Sequence, residues 1–322
     1  MDQPLRNTHM PLAPLVAVVG PTGSGKSHLA LELASGFKGE IVNCDSVQVF
    51  RFFNIGTAKT PASERRGIPH HLIDALDPDE VFTAGDYSRA GRQILHEITA
   101  RGALPVVTGG TGFYLRALID GLAPGPVRDA DLRRRLTERE KRRPGSLHRL
   151  LRRFDGTTAA RIHANDTPKV IRAVEICLSA RQPAAEVFAA GRDALEGYRV
   201  LKIGLFPPRE ELYKRLEGRL ETMFAEGLTA EVESILARGY RPLAKPFEAI
   251  GYKQALQVVQ EQLSLKDALF YARRDTRRYA KRQMTWFRQE SGIELFAGFG
   301  DDPAITTAVQ RRVDQFVQGS SC

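Results

Sequence analysis

The chain has 322 residues, 42% hydrophobic and 26% charged, a composition that suits one or two folded domains and excludes a chain that is disordered throughout. Its most apolar run, 12–19, falls short of the roughly 20 residues a membrane helix needs. The start of the chain has no signal-peptide pattern, and Cys44, Cys177 and Cys322 are too scattered for a disulfide framework or a zinc site, so the expected location is cytoplasmic.

Taken in order, the first ten residues are polar and unpatterned and read as a loose tail. Residues 15–19 read as a buried strand that meets a Gly-rich turn at Gly20, and 28–37 as a helix with Leu29, Ala30 and Leu33 on one face. Residues 40–44 form a second short strand ending at Asp45. A helix follows over 86–100, then a strand over 104–108, the loop Gly109-Gly110-Thr111-Gly112, and a helix from Phe113. The pattern changes at Pro124 and Pro126: from about Ala130 to Ala190 the chain is Arg-rich and helix-periodic. A strand returns at 200–206, and helices are expected over 209–226, 229–238, 253–262 and 266–289. Strands alternating with helices predict an α/β fold, a P-loop-type parallel sheet flanked by helices. The catalytic core is expected over 1–124 and 198–322, interrupted by a basic helical insertion over 125–197.

The net charge of +9 is not spread evenly. Residues 128–153 hold eleven Lys/Arg against four acids, and 271–288 hold seven against one. Such segments point to a polyanionic partner or to solvated helix faces.

Gly20-Pro21-Thr22-Gly23-Ser24-Gly25-Lys26-Ser27 fits G-x-x-x-x-G-K-[ST] between a strand and a helix. Glycines let successive backbone N–H groups curl around a phosphate, the helix adds its N-terminal partial charge, Lys26 adds a full one, and the Ser27 hydroxyl can ligate Mg²⁺. The motif establishes phosphate binding without deciding whether the phosphate belongs to a nucleotide. Asp45 sits past the end of the second strand, at the edge where open α/β sheets bind ligands. A carboxylate there can hold Mg²⁺ through water, act as a general base or cap a helix. Thr111 projects from a third strand end, so Gly20, Asp45 and Gly109 should converge on one crevice. The pair His70-His71 has no partner at metal-ligand spacing and reads as structural or surface.

The P-loop is joined by Asp45-Ser46-Val47-Gln48-Val49-Phe50, Asn54-Ile55-Gly56-Thr57-Ala58-Lys59, Gly67-Ile68-Pro69-His70-His71-Leu72-Ile73-Asp74 and Gly109-Gly110-Thr111-Gly112-Phe113-Tyr114. Asn165-Asp166, Gly251-Tyr252-Lys253 and Tyr279-Ala280-Lys281-Arg282-Gln283-Met284-Thr285-Trp286-Phe287-Arg288 follow in order. Together these blocks resemble the bacterial tRNA dimethylallyltransferase (tRNA isopentenyltransferase) family over nearly the whole chain. The resemblance implies that a dimethylallyl group moves from dimethylallyl diphosphate to the exocyclic amine of the tRNA adenosine immediately 3′ of the anticodon, and that diphosphate leaves. It implies that the P-loop, Gly20 to Ser27, holds that diphosphate with Arg219, that Mg²⁺ sits at Ser27, that Asp45 is the general base and that Thr111 stands beside it at the reacting centre. It places the anticodon stem-loop against Asp45, Ser46, Val47, Gln48, Thr111, Arg133, Pro168, Lys169, Val170, Ile171, Arg172, Tyr252, Lys253, Lys281, Arg282, Gln283, Met284, Thr285, Trp286, Phe287 and Arg288. No segment reads as a dimerisation element, so a monomer is expected. Pro168 stands where the family commonly has Gln, and Glu248 where it commonly has Arg. An ATP-dependent small-molecule kinase or an RNA-binding NTPase switch would also use the P-loop, but neither accounts for the Asp-Ser-x-Gln and Ala-Lys-Arg-Gln-x-Thr-Trp blocks.

The charge map carries a first prediction. Binding of tRNA should weaken steeply with salt, because each phosphate contact releases counterions. Replacing Lys281 and Arg282 together by alanine should weaken binding and flatten the slope of log affinity against log salt. Affinity that ignores salt would mean the charges are merely solvated.

Overall fold

The computed structural model describes residues 12–319; the expected tail and Cys322 lie outside them. The chain divides into two compact units, one made of the residues up to Leu118 and from Glu196 onward, the other of Ile119–Leu195.

The first unit opens with β1 (Ala13–Val19), α1 (Lys26–Gly36), β2 (Gly39–Asn43), β3 (His70–His71), α2 (Ala84–Ala100), β4 (Leu104–Gly109) and α3 (Gly112–Ile119). Five helices then form the second unit: α4 (Ala130–Arg142), α5 (Ser146–Phe154), α6 (Gly156–Arg161), α7 (Thr167–Ala180) and α8 (Ala184–Ala189). The first unit resumes with β5 (Tyr198–Leu205), α9 (Arg209–Ala225), α10 (Leu228–Ala237), α11 (Tyr252–Val259), α12 (Leu265–Gln289), β6 (Ile293–Phe296) and α13 (Pro303–Gln318).

The six strands are all parallel, in the order β3-β2-β4-β1-β5-β6. Every strand therefore exits at the same edge, and β2, β4 and β1 exit side by side. The central strands are apolar on both faces, as a parallel sheet covered by helices requires. Val16, Val18, Ile41, Val106, Leu201 and Ile203 pack with Leu29 and Leu33 of α1 and Val309 and Val313 of α13; their alternating neighbours face the other way, and α2 packs on β2 and β4. A second core joins α9 to α12 around the segment after β2, where Phe53 meets the Phe247 ring at 5.1 Å and the Tyr252 ring at 4.7 Å, both edge-on. No helix among the described residues is long and apolar enough to cross a membrane.

Three elements are additions to the sequence reading. β3 is two residues long and β6 four, too short for a periodic pattern, and α13 buries only Val309 and Val313 on one stripe. His71 is structural: its Nε2 bonds Glu40 Oε2 at 2.6 Å.

The helical unit has its own core, built from Leu136, Leu147, Leu151, Val170, Val174 and Val187 among others. Its helices are capped by aspartates: Asp129 accepts from Leu132 N, Asp155 from Thr158 N, and Asp166 from Lys169 N, with Pro168 in the first turn of α7. Glu175 is wholly buried and accepts from Arg133 Nη1 at 2.9 Å, Arg172 Nη1 at 2.8 Å and Asp129 N at 2.9 Å. Two residues expected at the tRNA, Arg133 and Arg172, thus neutralise an internal carboxylate. Val170 and Ile171 are buried in the same core, so of the 168–172 block only Pro168 and Lys169 stand exposed.

Glu40 makes the edge of the sheet sensitive to acid. Arg101 donates to it through Nε at 3.1 Å and Nη2 at 2.8 Å, and these bonds, with His71, hold its carboxyl below the ordinary carboxylate range against the opposing effect of burial. A lowered folded-state pKa gives stability that is complete above the unfolded value near 4.5 and is lost as pH falls through the folded value. Glu40→Gln should therefore destabilise by about 1.5–3 kcal/mol at neutral pH, the range for hydrogen bonds to a charged group. In denaturant melts the gap to wild type should close as the pH drops below about 4; a gap independent of pH would remove the charge from the explanation.

Candidate active site

β1 exits at Val19 into the phosphate loop. Gly25 adopts φ 83°, a left-handed conformation open to glycine, and caps α1 without a side chain. The first-turn N–H groups of α1 therefore face outward with no side-chain acceptor and no acidic residue beside them, which is the make-up of an anion site. The loop is braced from behind. Gly300 N donates to Ser24 O at 2.8 Å, and Asp301, held by both Nη atoms of Arg215 at 2.8 Å, stands against Gly25. Lys26 Nζ folds over the loop to donate to Pro21 O at 2.6 Å. Burial pushes the Lys26 ammonium down to about 7, Asp45 draws it back up and Arg219 pushes it further down. Arg219 comes from α9, its Nη2 3.5 Å from Thr57 O, and its own pKa is lowered first by burial and then by Arg215, while Asp45 raises it. Lys26, Arg219 and Asp45 thus share one poorly solvated site.

The loops after β2 and β4 are joined by backbone bonds beyond the strands, Cys44 N to Thr108 O at 2.7 Å and Thr111 N to Cys44 O at 3.2 Å. A Cβ on Gly109 would collide with the Cys44 carbonyl, so only glycine lets the two loops meet. Asp45 Oδ1 accepts from Val47 N at 2.8 Å and Gln48 N at 3.2 Å, which closes a turn and fixes the carboxylate; Oδ2 receives no hydrogen bond from the described residues. The capping and catalytic readings of Asp45 are therefore compatible, one oxygen for each. Thr111 Oγ1 accepts from Ser46 N at 3.2 Å, which leaves its O–H free to donate. Gln48 Nε2 donates to Thr57 O at 3.0 Å, the carbonyl that Arg219 also approaches. Cys44, Tyr114 and Tyr279 are each pushed up to about 12, chiefly by burial, and all feel Asp45. They form a neutral wall. Tyr87 stacks on Tyr114 at 4.4 Å, and Phe82 meets both rings edge-on.

Other expected residues lie elsewhere. Tyr252 is buried, and its hydroxyl donates to Glu231 Oε1 at 2.5 Å and accepts from Gly56 N at 3.0 Å; Glu231 also takes the N–H groups of Asn54 and Ile55. These two side chains hold the 54–57 turn that carries Thr57 O. Gln283, Met284 and Phe287 are buried on α12, and Trp286 is half-buried under Arg116, whose guanidinium lies 4.4 Å from the ring. Tyr252, Gln283, Met284 and Phe287 offer almost no surface to RNA. Lys253, Lys281, Arg282, Thr285 and Arg288 are exposed, whereas Arg273 and Arg277 pair with Glu221 and Glu217 of α9. Glu248, one of the two departures from the family pattern, pairs with Lys245. The parts of the site that sequence reading missed are Glu231, the Arg215–Asp301 brace and the neutral tyrosine wall. Glu231, Arg215 and Asp301 lie outside every recognisable block, whereas Tyr114 and Tyr279 stand at the ends of two of them. No group of three or more His, Cys, Asp or Glu that could hold a metal occurs among the described residues.

Fold and site define a P-loop α/β protein that holds a fixed carboxylate at the strand end next to its phosphate-loop motif. The IPP transferase family model matches residues 48–290. The tRNA dimethylallyltransferase of Solibacter usitatus is 60% identical over 304 residues, 94% of this chain and 99% of that protein, and that of Koribacter versatilis is 50% identical over 292 residues, 90% and 95%. Among solved structures, the tRNA isopentenylpyrophosphate transferase of Bacillus halodurans aligns with a TM-score of 0.70 at 35% identity, covering 96% of this chain and 98% of that one. A eukaryotic dimethylallyltransferase seen acting on tRNA aligns with a TM-score of 0.82 at 27% identity, covering 95% and 80%. This chain belongs to the IPP transferase family and is a tRNA-modifying prenyltransferase.

The depressed Lys26 pKa has a kinetic consequence. With Lys26 read as a ligand of the donor's diphosphate, burial that brings its ammonium down to about 7 predicts that kcat/KM for the prenyl donor falls as pH rises through that value in the free enzyme. Bound diphosphate favours the ammonium, so kcat should stay level over the same range. Lys26→Arg should abolish the fall, since a guanidinium stays charged. Steady-state rates from about pH 6 to 9 check this; a level kcat/KM would contradict it.

Proposed function

We propose that the chain transfers a dimethylallyl group from dimethylallyl diphosphate to the exocyclic amine of the tRNA adenosine immediately 3′ of the anticodon, with the P-loop as the diphosphate site and Asp45 as the base. The observation that carries this reading is the Asp45 carboxylate, fixed through Oδ1 at the exit of β2 in the same row of strand ends as the P-loop and the uncapped N-terminus of α1, a base beside an anion site. The bond from the allylic carbon to the diphosphate oxygen breaks and its electron pair leaves on that oxygen. The amine nitrogen bonds the same carbon and gives up a proton to Asp45 Oδ2. Charge that develops on the leaving oxygens meets the amides of the α1 N-terminus, Lys26 and Arg219, all in place beforehand and in surroundings that screen them little. An aromatic amine is a weak nucleophile, so removing its proton as the bond forms is where Asp45 acts. Thr111, anchored to Ser46 N, has its O–H free for the base or the amine.

The donor set suits Mg²⁺. Ser27 supplies an exposed hydroxyl oxygen at the head of α1, and Mg²⁺ beside a diphosphate needs only one or two protein oxygens, the rest being phosphate and water. Held there, it would neutralise charge on the diphosphate oxygens.

For tRNA, the exposed Lys253, Lys281, Arg282 and Arg288 of the first unit support phosphate contacts, as do Lys169, Arg135, Arg142, Arg152 and Arg153 of the helical unit. A tRNA substrate supports a cytoplasmic location.

Asp45→Asn tests the assignment cleanly. Asn keeps an oxygen to accept from Val47 N and Gln48 N, so the turn survives, but it cannot take a proton. Turnover should fall about 10²–10⁴-fold with tRNA affinity little changed. Near-normal turnover would reduce Asp45 to a turn-closing residue.

A further inference from the structure

Gln283 lies within the 25-residue α12 and is only 6% exposed. Its two polar ends meet backbone from two different loops. Oε1 accepts from Thr22 N of the phosphate loop at 2.9 Å, and Nε2 donates to Gly110 O of the loop after β4 at 2.9 Å. A Cβ on Gly110 would push Nε2 aside and break this bond. The partners dictate the amide's orientation, since Thr22 offers a hydrogen and Gly110 offers a lone pair. Thr22 belongs to the loop assigned to the diphosphate. Gly110 precedes Thr111, whose hydroxyl is tied to Ser46 beside Asp45.

We infer that Gln283 is a positioning residue, a bridge that sets the spacing between the diphosphate loop and the Thr111–Asp45 loops, and that its place in a basic segment does not make it a tRNA contact. The inference rests on the reading of the P-loop as the donor's diphosphate site. Alkyl transfer in line needs the allylic carbon and the amine a few ångströms apart, and an error of about 1 Å costs on the order of a hundredfold in rate. A side chain that bonds both loops removes that freedom. Apolar residues fill the space without bonding either loop. Glutamate accepts from Thr22 N but turns an oxygen toward the Gly110 carbonyl unless it is protonated.

Three variants and two probes decide the point. Gln283→Met keeps the length and removes both bonds. Its kcat/KM for dimethylallyl diphosphate should fall at least about fiftyfold, and its affinity for inorganic diphosphate by calorimetry should weaken, while tRNA affinity and its salt slope stay within about threefold of wild type. Gln283→Glu should be impaired at pH 8 and recover relative to wild type toward pH 5.5. Burial raises the carboxyl's pKa, and the protonated acid regains a donor for Gly110 O. Tyr279 on the same helix, Lys26 of the phosphate loop and Asp45 also act in this region, and dividing by the wild-type rate at each pH removes their contribution. Gln283→Asn, one carbon shorter, should not rescue. The Glu series stands on its own should the Met variant fail to fold. Normal donor kinetics in Met with tRNA binding weakened tenfold would overturn the inference in favour of an RNA contact. A Glu/wild-type ratio flat with pH would overturn it in favour of space-filling. Wild-type enzyme that transfers no label would instead overturn the P-loop reading, and diphosphate affinity would still judge the bridge.

Discussion

Where β4 ends, its backbone must touch the backbone leaving β2, and the rest of the site follows from that approach. Gly109 lies against the Cys44 carbonyl with no room for a Cβ, and hydrogen bonds from Cys44 to Thr108 and from Thr111 to Cys44 continue the ladder past the strands. Because β2, β4 and β1 are neighbours in a parallel sheet, their exits form one row. The carboxylate, the threonine and the phosphate loop each sit within a few residues of a strand end. Rigid strands, not loop flexibility, therefore set their spacing, as a catalytic constellation needs. Substituting Gly109 would part the two exits before it touched any chemistry.

The same compactness sets the electrostatics. Lys26 and Arg219 are half-buried, and burial lowers the pKa of each, a penalty that a diphosphate would relieve. In such a site a charge acts over its neighbours far more strongly than at the surface. The surrounding phenols and thiol are held neutral and add no competing charge. On the outside the reverse holds. Two arginines of α12, Arg273 and Arg277, are tied to glutamates of α9, and in the helical unit Arg133 and Arg172 are tied to Glu175. The charge left for a polyanion is smaller than the sequence total and sits on fewer residues.

Much of the fold was legible because its signals are local. The buried runs of β1, β4 and β5 and the helices α1, α2, α9, α10 and α12 fall within about two residues of their sequence-based bounds, since periodicity and glycine punctuation are written in consecutive residues, whereas α11 ends three residues short and the individual helices of the insertion have no sequence-based bounds. β3, β6 and α13 were not legible, because two or four edge residues and a stripe of two valines carry no periodic signal. In the site, the P-loop, Asp45 and Thr111 were legible as motifs at strand ends. Exposure was not: along 281–288 a helical turn alternates lysine and arginine outward with Gln283, Met284 and Phe287 inward, and resemblance assigns the whole block alike. The roles of Tyr252, Glu231 and Gln283 depend on partners 20 to 260 positions away, which no window of sequence contains.

The central claim is that the phosphate loop serves a prenyl diphosphate and no nucleotide. The most direct measurement is transfer of label from radiolabelled dimethylallyl diphosphate to bulk bacterial tRNA in Mg²⁺ buffer free of nucleotide, with and without added ATP. Label should enter the RNA at full rate without ATP, and added ATP should at most compete weakly for the loop. Strict dependence on ATP, or steady ATP hydrolysis stimulated by tRNA, would contradict the claim.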